Sequence, residues 1–239
     1  MPSYLTTDKN KWSNRIVNFS FLGEWVSHWR AYLAEFLGTF VFVLIASGAV
    51  LSNVFYSEIG TVGIALATGL SITSMMYATL HISGAHLNPA VTVALWLAQK
   101  IKGNLAFFYV ISQILASFAA ALVILLIFGS SSREFALGGP VLAESVSGQT
   151  GLVVEAILTA VLVFAVFATL VDRRGTVSFG PLVVGLVVTI ASLVALPITG
   201  AAINPARAIG PEVLSGSYQA LAIWIIGPLA GSLFGLVYD

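Results

Sequence analysis

The sequence predicts an all-α membrane protein in which six transmembrane helices and two re-entrant half-helices form an inverted repeat. Hydrophobic residues fill 58% of the 239 positions and charged residues only 8%, whereas about a quarter of a soluble domain is charged. Six apolar stretches approach the roughly 20 residues that cross a bilayer as a helix. Two shorter stretches each begin at an Asn-Pro-Ala motif, and the two motifs lie in matching segments of the chain.

The N-terminal segment, residues 1–30, is polar and aromatic. It is predicted to lie in the cytoplasm or along the membrane interface, with disorder of residues 1–15 as the alternative. Charges interrupt any apolar core there, so no cleavable signal peptide is predicted. A channel-type domain is predicted over 31–239, with repeat one at about 31–129 and repeat two at about 151–239.

The long apolar stretches are predicted to be helices because lipid tolerates only backbone whose hydrogen bonds are closed. Their limits are about 31–52, 60–81, 104–129, 151–171, 179–198 and 219–237. The two shorter stretches, at about 89–98 and 205–214, cannot span the bilayer. They are predicted to dip in from opposite faces as half-helices.

The two halves of the chain repeat each other. Gly69–Thr92 aligned with Gly185–Ala208 gives ten identities in 24 positions. Three spans in each half require the second copy to enter the membrane upside down. Such inverted repeats place the transport site near the midplane of the membrane.

Orientation is predicted from lysine and arginine. Eight of these residues lie on the N-terminal side of the membrane, in the N-terminal segment and two connections, and only Arg133 lies in a loop on the other side. Positive charge favours the cytoplasm. We expect an integral protein of the plasma (cell inner) membrane with both termini in the cytoplasm.

The Asn-Pro-Ala motifs supply the candidate pore residues, Asn88 and Asn204. Asn is a preferred N-cap and Pro a preferred first helical residue, so each motif starts a half-helix. A capping Asn uses its side-chain oxygen on its own helix and leaves its NH2 as a donor. Two such caps, backed by positive helix ends, predict a midplane site for neutral solutes that accept hydrogen bonds. Ordinary helix capping is the alternative, but two copies at matched places favour a pore.

Glu35 and Glu155 are carboxylates at matched positions inside apolar spans, where charge is costly. Proton coupling is one interpretation. The matched positions favour a supporting role, in which each accepts hydrogen bonds from backbone N–H groups of an irregular half-loop. His86 is predicted to be structural, with its ring bonded to backbone.

Arg207 follows the second motif directly, while Val91 stands at the same place after the first. An arginine at that depth is tolerated where it lines a wet cavity. Its donors can hold passing oxygen atoms while its charge repels cations. An arginine extending to the interface is the alternative.

Other functional classes are disfavoured by composition. Net charge is zero, so nucleic acid is not an expected partner. There are no cysteines and three histidines, with no cluster that suggests catalysis, a cofactor or a metal site. A secondary transporter also uses inverted repeats, but it would need more midplane charges than Glu35, Glu155 and Arg207.

The motifs resemble those of the aquaporin (major intrinsic protein) family over about residues 31–239. The resemblance rests on Glu35, on Glu155, and on the two segments His81–Thr92 and Thr199–Arg207. It implies an hourglass pore in each subunit, a homotetramer in the bilayer, and passive flux of water or small neutral solutes. Backbone carbonyls that would line such a pore belong to Gly84, Ala85, His86, Leu87, Gly200, Ala201, Ala202 and Ile203.

The family's second constriction, the selectivity filter, is expected at Thr68, Ser192, Ala201 and Arg207. Water-selective members carry an aromatic residue and a histidine where this chain has Thr68 and Ser192. Without those rings the filter is expected to be wide and polar, as in broad-specificity members that pass glycerol, urea or metalloid hydroxides. A strictly water-selective channel is the alternative.

Overall fold

A computed structural model describes residues 21–172 and 174–238, and this part of the chain contains helices and loops but no strand. The helices, in chain order, are α1 (Phe21–Tyr56), α2 (Gly60–Ser83), α3 (Pro89–Leu97), α4 (Gly103–Phe128), α5 (Gly148–Val166), α6 (Gly180–Thr199), α7 (Pro205–Ser215), α8 (Leu221–Ser232) and α9 (Gly235–Tyr238). Short 3-10 segments precede α5 and α6 at Ser130–Gly138 and Val177–Phe179, and a π-helical turn extends α5 over Phe167–Val171.

The predicted spans and half-helices are all helical, with shifted ends. Five helices within the described residues are long and apolar enough to cross a membrane. The sixth predicted span is shorter: Leu221–Val237 is apolar but is divided into α8 and α9. The half-helices α3 and α7 have 9 and 11 residues, too few to span the bilayer.

Helix α1 begins ten residues before the predicted limit of the first span. Its 36 residues run without a break from Phe21, because no proline or helix-ending glycine separates the polar stretch from the apolar one. Residues 21–30 are therefore part of α1, and the rest of the predicted interfacial segment, residues 1–20, lies outside the described residues.

The packing follows the inverted repeat. The pairs α1–α2, α1–α4 and α3–α4 of the first half recur as α5–α6, α5–α8 and α7–α8 in the second. Each half-helix also crosses the last span of the other half, in the pairs α4–α7 and α3–α8. The halves are thus interlocked around the two half-helices.

The halves meet where α2 crosses α6, at Gly69 and Gly185. An added Cβ at Gly185 would lie 2.6 Å from the Gly69 carbonyl oxygen and would overlap the Thr73 hydroxyl. An added Cβ at Gly69 would overlap Thr189 and the Gly185 carbonyl in the same way. Because the backbones touch, this crossing fixes the distance between α2 and α6.

Gly185→Ala is expected to destabilise the protein by about 1–3 kcal/mol, since the crossing has no room for a methyl group. Thermal unfolding of the detergent-solubilised protein measures the change. Gly48→Ala is the control, because a Cβ there would lie 3.7 Å from Ile124, an ordinary contact. Equal midpoints for both variants would contradict this description of the crossing.

The outward faces of the helices are apolar. Leu126 is 83% exposed and Ile127 62% exposed on α4, and Ile190 is 60% exposed on α6. Apolar surface on several helices at once is typical of a protein whose sides face lipid.

Candidate functional site

The site is built by two loops that end at the Asn-Pro-Ala motifs. The first Asn loop (residues 84–88) joins α2 to α3, and the second Asn loop (residues 200–204) joins α6 to α7. The Asn88 side chain caps α3 by accepting a hydrogen bond from the Ala90 N–H at 2.8 Å. The Asn204 side chain caps α7 by accepting one from the Ala206 N–H at 2.9 Å. Both half-helices therefore point their N-termini at the same region, as their sequences predict.

Both loops repeat the same unusual backbone. Gly84, Ala85 and Leu87 have φ values of 87°, 49° and 50°. The equivalent residues Gly200, Ala201 and Ile203 have 75°, 50° and 45°. Left-handed backbone is disfavoured for residues with a Cβ, so the surrounding structure must hold it in place.

Gly200 also has no room for a side chain. A Cβ there would lie 2.5 Å from the Pro140 Cα and the Val141 nitrogen. The Ala143 N–H donates to the Ile198 carbonyl beside this contact, at 3.0 Å. The connection before α5 is therefore packed directly onto the second Asn loop.

The two asparagines are linked crosswise through the opposite loops. The Asn88 Nδ2 donates to the Ile203 carbonyl and the Asn204 Nδ2 donates to the Leu87 carbonyl, each at 2.9 Å. The NH2 groups are thus not wholly free, because each uses one N–H to hold the other loop. The second N–H of each side chain has no hydrogen-bond partner among the described residues.

Carbonyl groups of the loops form two stretches of acceptors. Leu87 and Ile203 accept from the asparagines and so differ from the rest of the predicted set. Within the described residues, no backbone or side-chain group donates to the other six predicted carbonyls, those of Gly84, Ala85, His86, Gly200, Ala201 and Ala202. Free carbonyls in a loop at the ends of buried helices need a polar partner such as water.

Glu35 holds the first Asn loop. Its Oε1 accepts from the Ser83 hydroxyl at 2.6 Å and the His86 N–H at 2.9 Å. Its Oε2 accepts from the Leu87 N–H at 2.7 Å and from Gln113 Nε2 at 2.8 Å. The fully buried carboxylate therefore satisfies two backbone donors that have no helix partner.

Glu155 makes the matching contacts with the second Asn loop. Its Oε1 accepts from the Thr199 hydroxyl at 2.6 Å and the Ala202 N–H at 3.0 Å, and its Oε2 accepts from the Ile203 N–H at 2.6 Å. No glutamine stands at the place that Gln113 takes in the first half. The Trp224 indole donates to the Thr199 carbonyl at 2.9 Å, as the Tyr109 hydroxyl donates to the Ser83 carbonyl in the first half.

His86 lies in the wall of the site. Its Nδ1 is 3.1 Å from the Thr92 hydroxyl, and its ring packs edge-on against Tyr109 with centroids 5.0 Å apart. The expected bond from the ring to backbone is wrong, because the partner of Nδ1 is a side chain. The interpretation of His86 as a structural residue stays a prediction.

A cavity opens at the asparagine pair. Its wall is drawn from both halves of the chain. Its lining consists of Phe42, Ile72, Met76, His86, Asn88, Val91, Leu162, Val166, Val184, Val188, Ile203 and Asn204. Apart from the asparagines and His86, this wall is apolar, so a solute there meets few hydrogen-bonding groups.

Two predicted filter residues lie one helical turn along from the cavity wall. Thr68 precedes Ile72 by four residues on α2, and Ser192 follows Val188 by four on α6, so each shares a face with a lining residue. Each of the two residues therefore lies one helical turn, about 5.4 Å, beyond its lining neighbour, on the side away from Met76. Both side chains are buried, and the Thr68 hydroxyl donates to the Ile64 carbonyl at 2.8 Å, which leaves its oxygen as an acceptor.

Arg207, in the first turn of α7, is 1% exposed. Its Nη1 lies 3.4 Å from the Gly138 carbonyl, and its Nε has no hydrogen-bond partner among the described residues. Ala201, the remaining predicted filter residue, is buried in the second Asn loop.

The segment that reaches Arg207 has strained backbone. Ala136, Leu137 and Gly138 have φ values of 51°, 51° and 72° in succession. A Cβ at Gly138 would overlap the Ser47 carbonyl of α1, so the residue is also packed too closely for a side chain. The left-handed backbone of these three residues places the Gly138 carbonyl beside the Arg207 guanidinium.

Several supporting residues escaped sequence reasoning. Ser117 on α4 donates to the Ala206 carbonyl and accepts from the Gly210 N–H at 2.8 Å, which fixes the start of α7. Tyr109 donates to the Ser83 carbonyl at 2.7 Å. Polar residues inside an apolar span were the signal that could have identified Ser117 and Gln113.

Comparison with known proteins places the chain among membrane channels. The sequence profile of the family described as Major intrinsic protein matches residues 23–238. Aquaporin TIP4-4 of Zea mays is 40% identical over 220 residues, which cover 88% of this chain and 85% of that protein. Aquaporin Z of Photorhabdus laumondii is 34% identical over 220 residues, covering 86% and 94%.

Two further similarities differ in extent. Aquaporin NIP3-1 of Arabidopsis thaliana is 37% identical over 214 residues, which cover 88% of this chain but 66% of that protein. Among solved structures, the aquaglyceroporin from Plasmodium falciparum superposes with a TM-score of 0.80 at 26% identity, covering 89% of this chain and 96% of the other.

Proposed function

The chain belongs to the major intrinsic protein family, and from that premise we propose that it is a passive channel for water and small uncharged solutes that excludes ions and protons. The observation that carries the proposal is the asparagine pair, cross-bonded through opposite loops at the end of a cavity that both halves line. We assign the chain no catalytic activity and no cofactor.

The remaining N–H of Asn88 and that of Asn204 donate to the oxygen of a passing molecule. With its acceptor sites occupied, a water at that point directs its hydrogens away from the pair. A row of waters in the pore then cannot relay protons past the asparagine pair. The positive ends of α3 and α7 raise the barrier for cations at the same place.

The free loop carbonyls accept hydrogen bonds from the solute on either side of the pair. The rest of the cavity wall is apolar. A solute can therefore replace its hydrogen bonds to water only along the side that carries the loop carbonyls. A neutral molecule loses little by this, whereas an ion loses most of its hydration. Selection against ions thus follows from the wall as well as from the asparagines.

The filter sets the size of the solute. Thr68, Ser192 and Ala201 are small residues beside Arg207, and none of them carries a ring. A wide filter of two hydroxyls, a methyl group and a guanidinium is suited to glycerol, urea or a metalloid hydroxide as well as water. The structural similarity to an aquaglyceroporin supports solutes of this class.

We also propose the assembly and orientation that the sequence predicts. The channel is a homotetramer in the plasma (cell inner) membrane, with both termini in the cytoplasm. Arg207 and the filter then lie toward the outer side, and the cavity opens toward the cytoplasm.

Osmotic swelling of vesicles that hold the purified protein tests the proposal. Water, glycerol, urea and boric acid are compared on the same vesicles by stopped-flow light scattering. We expect rapid water flux together with flux of at least one larger solute. Water flux with complete exclusion of the other three would favour the strictly water-selective alternative, and saturable, gradient-driven uptake would favour a transporter.

Thr68→Phe is the matched variant for that experiment. A ring at this position narrows the proposed filter, so glycerol and urea flux should fall about tenfold or more while water flux persists. Leu70→Phe, which adds a ring on the exposed outward face of the same helix, controls for general damage to α2. Equal loss of all solutes in both variants would argue against a filter at Thr68.

A further inference from the structure

Glu212, on the second half-helix, is a buried carboxylate that the proposed function does not use. It is 1% exposed, and its Oε1 has no hydrogen-bond partner among the described residues. Buried carboxylates are costly unless paired, so the position calls for a partner. Glu35 and Glu155, by contrast, accept backbone and side-chain donors at short distances.

The surroundings of Glu212 lead to Arg207. A Cβ at Gly139 would lie 2.8 Å from the Glu212 Oε1. The residue before it, Gly138, offers its carbonyl to the Arg207 Nη1 at 3.4 Å. The carboxylate and the guanidinium therefore lie against adjacent residues of one segment, Gly139 and Gly138.

Among the described residues the Glu212 carboxylate and the Arg207 guanidinium form no direct ion pair, and the residues that they approach, Gly139 and Gly138, are neighbours in the chain. From standard backbone dimensions the two groups are separated by about 10 Å at most. In a buried region, where screening by salt is weak, charges at such a distance still attract. The Arg207 Nε has no hydrogen-bond partner among the described residues.

We propose that Glu212 is a positioning residue for Arg207. Its negative charge draws the guanidinium toward the Gly138–Gly139 segment and away from the lumen, so that the filter stays open beside a fixed positive charge. Without that charge the guanidinium turns into the lumen and narrows it. The role of the pair in permeation rests on the proposed function.

A double-mutant cycle tests the proposal with wild type, Glu212→Gln, Arg207→Val and the double variant. Thermal unfolding in detergent measures whether the two residues interact. We expect each single variant to unfold at a lower temperature, because it leaves one buried charge without its partner. The double variant should lose less than the sum of the two single losses. Additive losses would overturn the pairing.

Water flux through vesicles measures whether Glu212 acts through Arg207. In the wild-type background Glu212→Gln should lower water permeability about threefold, and in the Arg207→Val background it should change little. A purely structural role for Glu212 would lower flux equally in both backgrounds, and that result would overturn the proposal. So would unchanged flux in Glu212→Gln.

Two controls separate this proposal from the proposed function. Glu144→Gln removes an exposed carboxylate from the connection before α5 and should change neither readout. Wild-type vesicles without water flux would refute the proposed channel and the role of Glu212 in it. The unfolding cycle would still decide whether Glu212 and Arg207 interact.

Discussion

Arg207→Val is expected to make vesicles that contain the protein leak protons and small cations on the order of tenfold faster, while water flux persists. A unit charge about 4 Å from a passing cation raises its energy by about 1 kcal/mol in water and about 4 kcal/mol near a protein surface. Removing the guanidinium removes that barrier and leaves the buried carboxylates Glu155 and Glu212 in the same half of the chain. Decay of an imposed pH gradient, followed by an internal dye, measures the leak.

Arg133→Val is the matched control for this variant. Arg133 is an exposed arginine in the segment before Gly138, and its guanidinium donates to the Leu214 carbonyl at the end of α7. Its removal changes a charge on the same side of the protein without altering the proposed filter. Proton conductance that stays unchanged in Arg207→Val, or rises equally in Arg133→Val, would contradict the role proposed for Arg207.

Glu155→Ala is expected to abolish water flux and to destabilise the protein by about 3–5 kcal/mol, because the buried N–H groups of Ala202 and Ile203 would lose their acceptor. The second Asn loop could not keep its left-handed backbone, and the Ile203 carbonyl that holds Asn88 would move. The yield of folded protein, thermal unfolding and water flux together measure the effect.

Proton coupling predicts a different outcome for this glutamate. If Glu155 carried protons, Glu155→Gln would retain the fold and lose only a pH-driven flux. Loop support predicts instead that Glu155→Gln is itself destabilised, since its NH2 would face a backbone N–H. Full stability of Glu155→Gln would contradict loop support.

The sequence was sufficient for the helices and for the meeting of the two motifs. Apolar stretches of span length and Asn-Pro starts depend on local chemistry, which is readable from one chain. Helix ends were less accurate: within the described residues α1 already includes residues 21–30, because a polar helix can continue an apolar one and polarity alone does not end a helix.

The remaining parts of the site depend on contacts between distant segments. The crosswise bonds of Asn88 and Asn204 join loops 116 residues apart, so the sequence could not show that one N–H of each is already used. The Gly138 carbonyl reaches Arg207 through strained backbone, which carries no side-chain motif. Glu212 resembles a surface residue near the end of a short helix until packing buries it.

In the proposed channel a continuous lumen passes the asparagine pair and conducts water without protons. Water flux and proton flux, measured side by side in the same vesicles with wild-type protein, test it most directly. We expect water flux well above that of protein-free vesicles, with a lower activation energy, and proton flux equal to theirs. Water flux no faster than in protein-free vesicles, or proton flux that rises together with water flux, would rule out such a channel.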